Sequence, residues 1–224
     1  MWTSTLVTYL TLFLATVWIL GAASWLLLDA AKRADTLRAK RTAKTTIIVL
    51  LVWAAGAGFL AATVELNFTV FLPMAVIPIS LGTWAALRPR LSELLSHVRL
   101  APFIAVQFYR NAGAIFLYLY FTAGTLSWGF ARNAGWGDVA TGMLALPVAW
   151  AVWKNLRWAY VAVVAWCVIG IGDLIVAPLS AMIYGAERLV DFPINAVPLF
   201  LGPPLGILLQ ITVLRVWWLQ RSQG

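Results

Sequence analysis

The chain has 224 residues, of which 62% are hydrophobic and only 11% are charged, and this excludes an ordinary water-soluble domain and indicates an all-α integral membrane protein. One cysteine, Cys167, excludes a disulfide framework, and one histidine, His97, excludes a bis-histidine haem. The net charge is +8, but the basic residues collect at the ends of apolar segments. This favours anionic lipid at the membrane surface, rather than nucleic acid, as their partner.

Seven apolar windows approach the ~20 residues that a spanning helix needs. In chain order they cover residues 5–28, 46–64, 70–87, 102–123, 138–153, 158–183 and 198–219. The first window has no basic segment before it, so it is predicted to be a helix of the protein rather than a cleavable signal peptide. We expect the whole chain, residues 1–224, to form one seven-transmembrane-helix bundle.

The positions of the sixteen lysines and arginines predict how the bundle is oriented. Most of them fall in alternate connectors and at the C-terminal end: Lys32, Arg33, Arg38, Lys40, Arg41, Lys44, Arg88, Arg90, Arg99, Lys154, Arg157, Arg215 and Arg221. The opposite side carries Arg132 and Arg188, and Arg110 lies inside the fourth window. The positive-inside rule therefore predicts an outside N-terminus and a cytoplasmic C-terminus, as a multi-pass protein of a bacterial inner membrane.

A repeated motif, Gly-x-Gly-Asp, occupies residues 135–138 and 170–173. A carboxylate at membrane depth costs roughly 2.5–3.5 kcal/mol even on insertion scales, so Asp138 and Asp173 are candidate functional residues. At 1.5 Å per residue, each lies ~22 Å from the inner end of its window, in the outer half of neighbouring antiparallel helices. Two structural alternatives stay open. The glycines can serve close helix packing, and Asp138 can interact favourably with the first turn of the fifth helix.

The fourth window contributes a polar cluster that includes Gln107, Tyr109 and Arg110. An arginine at this depth either snorkels to the interface or forms an ion pair with Asp138 or Asp173. Gln107 and Tyr118 are further candidates for the same polar site, as ligands or hydrogen-bonding neighbours.

Prolines gather at the same level of the predicted bundle. Pro178 lies in the sixth window, Pro203 and Pro204 lie in the seventh, and Pro73 and Pro78 lie in the third. An interior proline removes a helical hydrogen bond, and loosened backbone in a membrane is tolerated only in protein or beside a wet cavity. We expect an outward-facing polar cavity bounded by the third, fifth, sixth and seventh windows.

The Gly-x-Gly-Asp motif is similar to the signature of intramembrane aspartyl proteases of the presenilin and signal-peptide-peptidase type. The resemblance covers about ten residues, chiefly 170–178. It implies two aspartates on facing helices that share a proton and activate a water molecule. The chain departs from that pattern in three ways: it has a second Gly-x-Gly-Asp in place of a Tyr-Asp motif, it has no Pro-Ala-Leu element, and Asp138 lies close to the end of its predicted helix.

The residue that a retinal photoreceptor requires is missing from this chain. A retinal Schiff base needs a lysine deep in the last helix, whereas Lys32, Lys40, Lys44 and Lys154 all lie at predicted cytoplasmic ends. No cofactor is predicted, and the sequence leaves open whether a metal binds.

Three functions are consistent with these features. The leading hypothesis is a polar site, centred on Asp173, Asp138 and Arg110, that binds or passes a cation, a proton or a small polar molecule. The second is a non-catalytic structural or assembly subunit with membrane-protein partners, and the third is the intramembrane protease. The sequence favours a non-enzymatic function over an enzymatic one.

Overall fold

The computed structural model describes residues 2–63, 68–124, 126–184 and 197–221. Across these residues the chain is 92% helical and contains no strand, which confirms the predicted all-α class. Val64, the last residue of the second window, and Arg188, which entered the charge count, lie outside the described residues.

The helices follow the seven predicted windows, with additional short elements between and within them. The described α-helices are α1 (Trp2–Ala34), α2 (Leu37–Thr63), α3 (Phe68–Leu87), α4 (Pro89–Ser96), α5 (Leu100–Val106), α6 (Ala114–Tyr118), α7 (Trp128–Ala131), α8 (Gly137–Trp153), α9 (Ala159–Ile183) and α10 (Val197–Arg221). A 3₁₀ segment covers Gln107–Gly113, and π-helical turns cover Leu119–Ala123 and Arg132–Trp136.

Five segments in the described part of the chain are long and apolar enough to cross a membrane. They are Leu6–Ala34, Leu37–Leu60, Leu100–Thr122, Ala159–Ile183 and Gly202–Arg221. The third and fifth predicted windows are not among these five segments; α3 has 20 residues and α8 has 17. The chain therefore has the features of a multi-pass membrane protein, while the count of seven spans stays a prediction.

The helix that carries Asp138 begins well before the predicted window. Helical backbone runs without a break from Trp128 through the second π-helical turn to Trp153, a length of roughly 39 Å at 1.5 Å per residue. The Ser127 side chain caps its start by accepting a hydrogen bond from the Phe130 N–H. Asp138 lies in the first turn of α8, as one of the alternatives allowed, but the π-helical turn before α8 means that this turn is not a free helix N-terminus.

The fourth window is irregular although it has no interior proline. Residues 100–123 change from α-helix to 3₁₀, back to α-helix and then to a π-helical turn. In contrast, Pro78, Pro178 and Pro203 lie inside helices that remain continuous around them. Each proline still removes one helical hydrogen bond, but the change of helix type falls at the polar cluster of the fourth window.

Helix packing leaves large apolar side chains on the outside. The main core joins residues of α1, α4, α5, α8, α9 and α10, including Ile19, Leu94, Ile104, Val163 and Val213. Many others, such as Phe13, Leu14, Val52 and Phe59, are exposed on α1 and α2, as lipid-facing surfaces require. Helix α10 packs against α2, α3 and α9, and α8 packs against α9, α5 and the 3₁₀ segment.

Candidate functional site

Arg110 is the centre of a buried ion-pair cluster. Only 2% of this residue is exposed, and its guanidinium uses all three nitrogens. Nε donates to Oδ1 of Asp138 at 2.8 Å, Nη2 donates to Oδ2 of Asp173, and Nη1 donates to the Gly170 carbonyl at 3.1 Å. We call Arg110, Asp138 and Asp173 the buried triad. Of the two alternatives for Arg110, the structure shows the ion pair, with both acids at once.

The 3₁₀ backbone explains how Arg110 comes to point inward. Side chains three residues apart eclipse one another in a 3₁₀ helix, and Gln107, Arg110 and Gly113 are the buried residues of this segment. An α-helix would rotate successive members of that row away from one another. The 3₁₀ segment therefore presents an amide, a guanidinium and a glycine in line toward α8.

Glycines on neighbouring elements make room for both carboxylates. A Cβ on Gly113 would meet Asp138, with Oδ2 only 2.7 Å away, and a Cβ on Gly137 would overlap the Asp173 carboxylate. Gly137 belongs to the first Gly-x-Gly-Asp motif and Asp173 to the second, so one motif accommodates the acid of the other. Close packing and acid placement, which the sequence presented as alternatives, are thus the same arrangement.

Two fully buried glutamines lie beside or in line with the triad. A Cβ on Gly170 would meet the Gln210 side-chain amide as well as Arg110 Nη1, so the amide and the guanidinium share one small space. Gln107 and Gln210 are both 0% exposed, and their side-chain nitrogens and oxygens have no hydrogen-bond partner among the described residues. The Thr141 hydroxyl is also fully buried, and it likewise has no hydrogen-bond partner among the described residues. Such groups carry a desolvation cost unless a polar guest satisfies them.

A cavity of about 100 Å³ reaches this cluster. Arg110, Asp138 and Tyr109 supply polar groups to its lining, and the rest is largely apolar, including Leu12, Ile19, Phe116, Phe130, Leu174 and Ala177. The walls come from α1, residues 109–116 of the fourth window, the 128–153 helix, α9 and α10. No described side chain of α3 lines this cavity, in contrast to the expectation that the third window bounds it. Its place is taken by α1.

The other predicted site residues have different surroundings. Pro203 lines the cavity, Pro204 is buried next to it, and Pro178 follows the cavity residue Ala177. Tyr118 packs against an apolar cluster around Ile115 and Leu119. The tyrosine at the cavity is Tyr109, whose hydroxyl lies 3.2 Å from the position of a Cβ on Gly206.

Gln210 and Thr141 are the residues that the sequence analysis missed. A signal for Gln210 was present, because an uncharged amide interrupts an apolar stretch of the seventh window. The rule applied to the aspartates, that polar groups at membrane depth are costly, applies to it as well. Thr141 gives no such signal, because a threonine hydroxyl in a helix commonly bonds to a backbone carbonyl of its own helix, whereas the Thr141 hydroxyl has no partner among the described residues.

The charge of the triad does not balance. Arginine stays protonated in proteins, so the cluster has one fixed positive charge and two carboxyl groups. Arg110 is therefore able to neutralise only one of them when both are ionised. Within the described residues there is no group of three or more His, Cys, Asp or Glu side chains placed to hold a metal ion.

Comparisons with known proteins give one informative result. A family model described as "Domain of unknown function (DUF8737)" matches residues 67–219, a range that includes the buried triad and both buried glutamines. No curated protein and no solved structure matches the chain.

Proposed function

This chain belongs to the DUF8737 family, and we propose that it is a seven-helix membrane protein that binds a proton or a small cation at the buried triad. Asp173 is the central acid, Asp138 is the second carboxylate, and Arg110 is their shared counter-charge. The cavity between α1, the 3₁₀ segment and α10 is the route by which the bound species enters and leaves.

The unbalanced charge of the triad carries this proposal. Adjacent nitrogens of one guanidinium hold the two carboxylates, and two carboxylates that share a site resist simultaneous ionisation. A single proton or monovalent cation brings the cluster to neutrality, which burial strongly favours. Anionic guests would add to the excess negative charge and are disfavoured.

The unpartnered amides support a polar guest in the same place. Gln210 shares the space beside Gly170 with Arg110, and Gln107 lies one 3₁₀ turn before Arg110. Amide oxygens accept from a hydrated proton or coordinate a cation, and amide nitrogens donate to water. The amides therefore complete a site that the triad alone leaves short of ligands.

The orientation follows from the charges at the helix ends. We propose an outside N-terminus, a cytoplasmic C-terminus and residence in a bacterial inner membrane, with α3 and the 128–153 helix as the third and fifth spans. In this orientation the triad lies in the outer half of the bilayer.

Infrared difference spectroscopy on the protein in liposomes tests the proposal directly. Acidification of the wild-type protein should produce the carbonyl band of one protonated carboxyl group, and replacement of choline by sodium or potassium should perturb it. Asp173→Asn should abolish the response, and Asp138→Asn should abolish or displace it. Identical spectra for the wild type and both variants would contradict the proposal.

A matched control comes from the chain itself. Asp29 is also paired with arginines, Arg33 at 2.6 Å and Arg99 at 3.4 Å. It lies nearer the C-terminal end of α1 than the α1 residues that line the cavity, and its two arginines are partly exposed. Asp29→Asn removes one paired carboxylate without altering the triad. It should therefore leave the infrared response unchanged.

The arrangement also supports a second candidate, a structural or assembly subunit, because Arg110 ties the fourth segment to both α8 and α9. A triad with only that role would lower stability when mutated but would show no ion-dependent response.

The protease function has less support. Its mechanism needs the two acids to hold a water molecule between them, whereas here both bind Arg110.

A further inference from the structure

A long groove separates two helices that are consecutive in the chain. Helices α2 and α3 do not pack closely against each other over the described residues, although each packs against α10 and α4. The space left between them is a groove of about 1300 Å³. This exceeds the roughly 300–1,000 Å³ of usual small-molecule sites.

The groove has the length of one membrane leaflet plus its interface. On α2 its lining runs from Leu37 to Trp53, and on α3 from Pro73 to Ala86. These stretches correspond to roughly 24 Å and 20 Å of helix, compared with ~15 Å for half of the hydrocarbon core. Both walls therefore reach from the bilayer interior to the interface.

The walls are apolar for most of that length. Side chains of α1, α2, α3 and α10 line them, among them Leu20, Leu27, Val49, Leu50, Ile77, Leu81, Leu205 and Leu208. Gly82 allows α3 and α10 to pack closely beneath the groove, since a Cβ there would come within 2.6 Å of the Leu208 side chain. Such a surface suits a hydrocarbon chain.

Four arginines line one end of the groove: Arg38, Arg41, Arg88 and Arg90. Arg88 stacks over the Trp84 ring at 4.0 Å, and Arg38 lies 3.8 Å from the exposed Glu93. The guanidinium groups of Arg41 and Arg90 have no ion-pair or hydrogen-bond partner in the described part of the chain. The positive charge at this end therefore exceeds the negative charge that faces it.

We propose that the groove binds one anionic phospholipid, with the phosphate headgroup on the four arginines and the acyl chains along the apolar walls. Basic pockets between spanning helices are suited to such headgroups. A second copy of this chain is a poor occupant, because it brings its own arginines and a net charge of +8. The inference needs only that the chain lies in a membrane, and it is independent of the triad.

Native mass spectrometry of the full chain in mild detergent tests this site. The protein is titrated with phosphatidylglycerol and, separately, with phosphatidylcholine of the same acyl chains. We expect one phosphatidylglycerol per chain, bound at least tenfold more tightly than phosphatidylcholine. The pair Arg41→Gln and Arg90→Gln should remove that preference.

Two further variants make the outcome decisive. Lys154→Gln with Arg157→Gln removes two basic residues outside the groove lining and should leave the preference intact. Ala85→Phe narrows the groove and should weaken binding of both lipids. Equal binding of the two lipids by wild type, equal losses in both charge variants, or a copurified polypeptide that occupies the groove would each overturn the proposal.

Discussion

Arg110 is the residue on which the buried polar contacts of this protein depend most. It is 98% removed from solvent, and each of its nitrogens has a partner on α8 or α9. Breaking a buried ion pair by removing one partner leaves the other charge without compensation, which costs about 3–5 kcal/mol. Replacing the charged groups together avoids that penalty.

Arg110→Gln should therefore lower the free energy of unfolding by about 3–5 kcal/mol. Combining it with Asp138→Asn and Asp173→Asn should restore a large part of the loss, because no isolated charge stays buried. Thermal or denaturant unfolding in detergent measures both variants. A triple variant as unstable as Arg110→Gln alone would show that shape, not charge, dominates at this position.

The two repeated motifs provide a matched pair of glycines. A Cβ on Gly137 overlaps the Asp173 carboxylate, whereas a Cβ on Gly172 meets nothing within 4 Å. Gly137→Ala should displace Asp173 and weaken both stability and the infrared response. Gly172→Ala should be neutral or stabilise by up to about 1 kcal/mol, as expected for alanine in a helix. Equal effects in unfolding experiments would refute this placement of the acid.

At the scale of the element, the helices of the fourth and fifth windows differ most from what the sequence suggested. The pattern Gly129, Arg132, Asn133, Gly135 has the composition of a loop, but three of its features favour packing. Gly129 faces the Tyr184 ring, Gly135 faces Leu117, and the Asn133 amide donates to the Ser180 hydroxyl at 2.8 Å. These contacts come from distant parts of the chain, so local composition does not reveal them.

Cysteine labelling distinguishes the helix from a loop in this region. In a Cys167→Ser background, Arg132→Cys should react with a water-soluble maleimide, since Arg132 is exposed. Ala131→Cys and Ala134→Cys should resist labelling, because these residues are 0% and 1% exposed. Uniform labelling of all three positions would indicate a loop.

The 3₁₀ segment was equally hidden from sequence patterns. The sequence shows that its residues are polar, and it allows Arg110 either to snorkel or to form an ion pair with the acids. The row formed by Gln107, Arg110 and Gly113 depends on a period of three rather than 3.6. Tertiary pairing with α8 and α9 imposes that period, which no local propensity encodes. Helix rise alone, in contrast, predicts that Asp138 and Asp173 lie at the same level of neighbouring helices, and the structure brings both acids to Arg110.

At the scale of the whole molecule, the sequence predicts the helical class and the approximate position of each helix. The windows end within a few residues of the observed helices, except at three places: α1 ends at Ala34, α2 begins at Leu37, and the helix of the fifth window begins at Trp128. Composition is sufficient for this, because apolar length alone decides which segments a bilayer accepts. Which helices touch is a different question: the gap between α2 and α3, and the part α1 has in the cavity, depend on side-chain shapes across the bundle.

The orientation of the bundle is testable with reporter fusions. A fluorescent protein joined after Gly224 should fold and fluoresce in a bacterial host, because the basic residues at helix ends predict a cytoplasmic C-terminus. A periplasmic phosphatase joined at the same place should be inactive. The opposite pair of results would invert the predicted topology.

The order of charges along the chain has a consequence for biogenesis. Arg110 emerges from the ribosome 28 residues ahead of Asp138 and 63 ahead of Asp173. The fourth span must therefore enter the translocon with an unmatched arginine, at a cost of about 2.5–3.5 kcal/mol on insertion scales. A nascent chain truncated before Asp138 should insert this span poorly, and extension through Asp173 should rescue it. That rescue would identify the later helices as in-chain partners that retain an earlier one in the bilayer.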